Sequence, residues 1–248
     1  MMKRRTFIQH GSTLSSAAYL GFPLIRKTPA TYKVVLIGSG WWGTNILREA
    51  VASGRVEVAG ICDVDQRQLQ ACEKEVMTWI NTKPKWYTDY RECLREAKPD
   101  IAIVATPDHW HARCAIDAIE AGAHVYIEKP ISQTILEGKA IVAAARRYER
   151  MVQVGTHRRV SPHNASAIEF LRQGKVGKIS LVKCFVNYGG GPGEPTPNEE
   201  APEGLDWNMW IGPAQYRAYN PRIHPRGFRQ FLNFANGTIG DWGIHWFD

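Results

Sequence analysis

No stretch of this sequence approaches about 18 uninterrupted apolar residues, so no membrane-spanning helix and no stable membrane insertion are expected. The five cysteines are Cys62, Cys72, Cys93, Cys114 and Cys184. Their number is odd and no two form a C-x-x-C pair, which argues against a disulfide framework or a zinc knuckle. Several fall in apolar runs, where a thiol acts as a small hydrophobe. No Cys, His and Glu cluster has metal-site spacing, so no metal is expected, and no internal repeat is visible. Acidic residues are missing from residues 1–31, which carry Lys3, Arg4, Arg5, Arg26 and Lys27. That segment holds five of the seven excess positive charges and leaves +2 for the rest. A body of charge +2 gives no reason to expect a nucleic-acid partner.

With 248 residues, 44% of them hydrophobic, the chain can build one full core and part of a second. Arg4-Arg5, followed by Thr6-Phe7-Ile8 and the weakly apolar stretch Ser12–Ile25, matches a twin-arginine export signal. The expected destination is the periplasm or the exterior, and Thr28-Pro29-Ala30 offers a processing point. That route carries folded proteins, which suits a chain that takes up its cofactor beforehand.

From Tyr32 the pattern alternates short β-branched runs with helical periods. Strands are predicted over Lys33–Ile37, Val56–Cys62, Lys85–Thr88, Ile101–Ala105, His124–Ile127 and Met151–Val154. Helices are predicted between them, one capped by Asp108 and closed by Gly122. Such alternation implies an α/β, doubly wound parallel sheet over 32–154. Ser161-Pro162 opens a further helix to Leu171, and Ile179–Tyr188 reads as a long strand of an antiparallel sheet. Residues 155–248 are thus expected to form a partial α+β domain, with a loop over 189–204.

Gly38-Ser39-Gly40-Trp41-Trp42-Gly43 follows the first strand and opens the first helix. The glycines permit a tight turn, backbone approach to a diphosphate, and close helix–strand packing. The helix start offers free N–H groups to the phosphates. Asp63, twenty residues after Gly43, can accept bonds from a ribose 2′-hydroxyl and repels a 2′-phosphate, favouring NAD over NADP. A glycine turn in another doubly wound protein is the structural alternative.

Thr106-Pro107-Asp108-His109-Trp110-His111 lies at the C-terminal end of the fourth strand, the edge where parallel sheets bind ligands. Thr106, Pro107 and His109 are candidate cofactor contacts; capping and loop packing are the other account of the histidines. Glu128-Lys129-Pro130 follows the fifth strand at the same edge. The Lys129 ammonium can lie near the nicotinamide ring, hydrogen-bond an alcohol oxygen and stabilise alkoxide character during hydride loss, so Lys129 and Glu128 are both candidate cofactor contacts. Asp241 and His245 are four apart, so on a helix they share a face, Asp241 orienting His245 as general base. A structural histidine in an aromatic-rich segment would show the same spacing.

Together these motifs resemble the glucose–fructose oxidoreductase/inositol dehydrogenase (Gfo/Idh/MocA) family. The likeness covers Tyr32 to Asp248 and also includes Gly155-Thr156-His157-Arg158-Arg159. The resemblance implies catalytic roles for Lys129, Asp241 and His245, a sugar or polyol substrate, and a second domain with an open, mostly antiparallel sheet. It also implies a homo-oligomer at full length. Family members usually continue past the Asp-x-x-x-His segment, so this chain reads as a C-terminally truncated piece whose activity alone is in doubt. Three functions follow: an NAD-dependent sugar or polyol oxidoreductase, an NAD-dependent glycosidase using transient ring oxidation, and a non-catalytic NAD-binding protein.

Overall fold

The computed structural model describes residues 31–185, 187 and 194–248. The paired arginines and the rest of the expected export segment up to Ala30 lie outside the described residues.

Six strands form one sheet: β1 Tyr32–Ile37, β2 Val56–Cys62, β3 Trp86–Tyr87, β4 Ile101–Val104, β5 His124–Ile127 and β6 Val152–Val154. Their order is β3-β2-β1-β4-β5-β6 and every pairing is parallel. The helices between them are α1 Trp41–Ala52, α2 Gln66–Trp79, α3 Tyr90–Ala97, α4 Asp108–Glu120 and α5 Ile135–Arg147. Strand order reverses direction between β1 and β4, and a crevice opens there beyond the strands' C-terminal ends.

β1 shows why the sequence folds this way. Val35 and Ile37 face a core shared with α3, α4 and α5, while Val34 and Leu36 face another with Leu47 and Leu69. All four are nearly fully buried, so the strand must be apolar on both faces. Each such side chain contributes about 1.5–3 kcal/mol of burial. Helix starts are fixed locally. Asp65 accepts from the Arg67 amide, Asp89 from the Arg91 amide, and Thr134 with Glu137 forms a reciprocal capping box.

Beyond β6 come α6 Pro162–Arg172, α7 Trp207–Ile211 and α8 Gly237–Phe247. Trp207 and Trp210 stack at 4.6 Å between ring centroids and, with Tyr219, Ile223, Phe228 and Phe234, make a separate aromatic core. This segment is sewn to the sheet domain by backbone bonds, Gln66 to Gly204 and Asp206 to Val64. A buried pair, His224 with Asp65 at 3.0 Å, adds to them.

Two local expectations are corrected. Asp108 does not cap α4: Pro107 occupies the cap position and Asp108 is the first helical residue. The strand expected over Ile179–Tyr188 is also missing from the described residues; 178–185 adopt no regular structure, and Ile179, Leu181, Val182 and Phe185 stand exposed. Val186 and Tyr188 lie outside the described residues. Hydrophobicity sets a strand's faces but a neighbouring strand must supply its ladder, and none of the described strands pairs with this one.

Candidate active site

The crevice is a cleft of about 760 Å³, within the range of small-molecule sites. Gly38, Gly40, Trp41, Trp42, Gly43, Asp63, Thr106, Pro107, Glu128, Lys129, Asp241 and His245 all line it. Gly38 after β1 and His245 on α8, distant in sequence, are thereby brought to one surface.

The glycine turn is built for close contact. Gly38 has φ +92°, and a Cβ there would lie 2.6 Å from the Ala105 carbonyl. A Cβ on Gly43 would lie 2.1 Å from the Gly38 oxygen. A Cβ on Gly40 would meet nothing within 4 Å, so the backbone there faces open space. Gly40 is the N-cap of α1, no side chain caps that helix, and its first turn holds no acid. An uncapped, positively polarised helix start beside open space fits a diphosphate.

Asp63 does more than the sequence suggests. Its Oδ2 accepts from the Ser39 amide at 2.8 Å and the Ser39 hydroxyl at 3.2 Å, and its Oδ1 from the Asp65 amide at 3.0 Å. It therefore braces the glycine turn from inside. Burial pushes its pKa up, opposed by those amide bonds. An ionised carboxylate has about four acceptor positions, so one is left for a ribose hydroxyl. The Thr106 hydroxyl, on the residue whose amide nitrogen abuts Gly38, is buried without a partner and lines the same cleft. These residues fit a dinucleotide.

At the far end, Lys129 Nζ donates to Asp241 Oδ1 at 2.5 Å and to the Asp241 carbonyl at 3.1 Å. Arg229 Nε lies 3.4 Å from Asp241 Oδ2. The Asp241 carboxylate thus belongs to two cations, which corrects the expectation that it orients His245. His245 Nδ1 is buried without a hydrogen-bond partner, and the ring lies 4.9 Å from that of His157. Burial lowers the His245 pKa to about 4, helped by the nearby charge of Lys129. The ring is neutral at pH 7 and can accept a proton.

His109 is not among the cleft-lining residues. It is 3% exposed, packs against Trp210 and Phe234, and donates from Nε2 to the Trp210 carbonyl at 3.0 Å. It is a structural residue of the aromatic core, and the expectation of a cofactor contact is corrected. His111 bridges the two loops, with Nε2 2.8 Å from the Thr106 carbonyl and Nδ1 2.6 Å from that of Pro130. Sequence reasoning misses Arg229, which carries no motif signal; Asp108 lies in the Thr106–His111 motif but is read there as a helix cap, whereas it lines the cleft.

Two family models match the chain. Residues 32–156 match the oxidoreductase family, NAD-binding Rossmann fold, and residues 187–248 match that family's C-terminal alpha/beta domain. An alpha-N-acetylgalactosaminidase of Shewanella oneidensis is 29% identical over 160 residues, 63% of this chain and 35% of that protein. The chain spans about a third of the length of the curated relatives it matches. An NAD-binding protein from Listeria innocua is 25% identical, with a TM-score of 0.61, covering 87% of this chain and 52% of that one. A scyllo-inositol dehydrogenase from Lactobacillus casei, solved with NAD(H) and scyllo-inositol, is 24% identical over 60% of this chain and 43% of its own, with a TM-score of 0.54, and shares the fold. The family match covers half the chain with its first model alone, and the protein belongs to the Gfo/Idh/MocA oxidoreductase family, with that family's NAD-binding Rossmann fold.

Proposed function

We propose that the protein is an NAD-dependent oxidoreductase that moves hydride between a sugar, cyclitol or related polyol and the nicotinamide cofactor. The observation that carries this is the meeting of Lys129, Asp241 and His245 in the same cleft as the glycine turn. Gly40 and the start of α1 would hold the diphosphate, and Asp63 the adenosine ribose. NAD, when bound, supplies the acceptor for hydride. Lys129 uses two of its three N–H groups on Asp241 and keeps one for the substrate oxygen. The neutral His245 takes the hydroxyl proton at a ring nitrogen. Asp241, itself paired with Arg229, keeps the lysine in place.

A second reading, an NAD-dependent glycosidase, is favoured by the glycosyl hydrolase names of the curated relatives. The same residues would open both reactions. Purified protein is incubated with NAD and a panel of sugars and cyclitols, and NADH is followed at its absorbance band. Net NADH with a polyol supports the oxidoreductase. Sugar release from an aryl glycoside without net NADH supports the glycosidase. Neither, with NAD bound, rejects both.

A further inference from the structure

Asp108 lines the cleft yet is 5% exposed, and its Oδ2 is buried with no hydrogen-bond partner. The charged groups around it are Arg229, Lys129 beyond β5, and Asp241 on α8, with the Asn236 backbone amide also directed at the carboxyl. Both cations are already engaged by Asp241. A carboxylate whose sealed oxygen finds no donor bears a desolvation cost that neutralisation removes.

We infer that Asp108 is a neutral carboxylic acid in the working site and presents its O–H, on Oδ1, to an acceptor oxygen of the bound molecules. With the sealed Oδ2 as the carbonyl oxygen, an unpartnered acceptor is tolerated far better than an unpartnered charge. The acceptor is a neutral oxygen, either the nicotinamide carboxamide or a polyol hydroxyl. This rests on the dinucleotide reading above. Consistent with the geometry, burial raises the Asp108 pKa to about 7, with Arg229 opposing and Asp241 adding to the rise.

The test has two parts. Infrared difference spectra of the ligand-free protein at pH 6 should show a protonated-carboxyl band that disappears in Asp108→Asn; no such band overturns the inference. NAD affinity is then titrated at pH 6 and pH 9, followed by scyllo-inositol on the NAD-loaded protein. If the carboxamide is the acceptor, NAD binding weakens about three- to tenfold at pH 9 in the wild type but not in Asp108→Asn, whose amide cannot ionise. If a hydroxyl is the acceptor, that loss moves to scyllo-inositol. Equal pH dependence in both proteins overturns the inference. Failure of NAD to bind at either pH, with the infrared band present, rejects the dinucleotide reading and the ligand contact but not the proton on Asp108.

Discussion

Lys129 and Asp241, 112 residues apart, meet at 2.5 Å with both side chains largely buried. The contact ties the end of the parallel sheet to α8 and presents the lysine to the cleft. Removing one partner of such a pair strands the other, typically at about 3–5 kcal/mol. Lys129→Met is therefore expected to lower kcat by about 100-fold or more while NAD affinity falls far less. Steady-state rates set beside NAD titrations check this; a variant with intact turnover contradicts the role.

Gly43→Ala places a methyl against the Gly38 oxygen, where no room exists. The glycine turn must shift, so both stability and NAD affinity fall, stability by about 1–3 kcal/mol. Urea unfolding and NAD titration of the same preparation test the prediction. Unchanged midpoints would show that the turn yields freely.

Asp63→Ala removes the carboxylate that would repel a 2′-phosphate and also unties Ser39. Affinity for NAD should drop and the preference for NAD over NADP should shrink. Competitive binding of the two cofactors measures the ratio. A preference that does not move assigns discrimination elsewhere.

Asp65 and Asp108 act oppositely on stability as pH changes. Burial works against the Asp65 charge but is outweighed by hydrogen bonds from His224 and Arg67, which hold its pKa below the ordinary 3.8. Its contribution is present above that value and is lost as pH falls through the lowered one. Asp108 has its pKa raised to about 7, so its contribution is complete below 3.8 and is lost as pH climbs towards 7. Asp108→Asn should gain stability relative to the wild type across that window, on the order of a few kcal/mol. Denaturant midpoints at pH 4.5 and pH 7 decide it, and a constant difference argues against a neutral Asp108.

Cys62, Cys72, Cys93 and Cys114 are buried, and burial raises each thiol's pKa. Cys184 alone is exposed. A maleimide should label one thiol per native chain quickly and the others only on unfolding. Rapid labelling of several would show the sheet domain opening.

The sheet domain is legible in the sequence because its information is local: β-branched runs, capping residues and glycines lie next to the structures they specify. Asp63 can be placed at the end of β2 for the same reason, although its bond to Ser39 cannot. What escapes depends on distant contacts. Asp108 and His109 are adjacent, yet the helix turns one to the cleft and the other to Trp210; only packing decides which. Arg229 gains meaning only once Asp241 is beside it. The strand expected near Ile179 has the right hydrophobicity but no described neighbour to complete its ladder.

The most direct test of the account is calorimetric titration of the folded protein with NAD. Saturable binding, weakened by Gly43→Ala and Asp63→Ala but much less by Lys129→Met, is the predicted result. A folded wild type that takes up no NAD, or variants in the glycine turn that bind as well as it does, would contradict the assignment of the cleft.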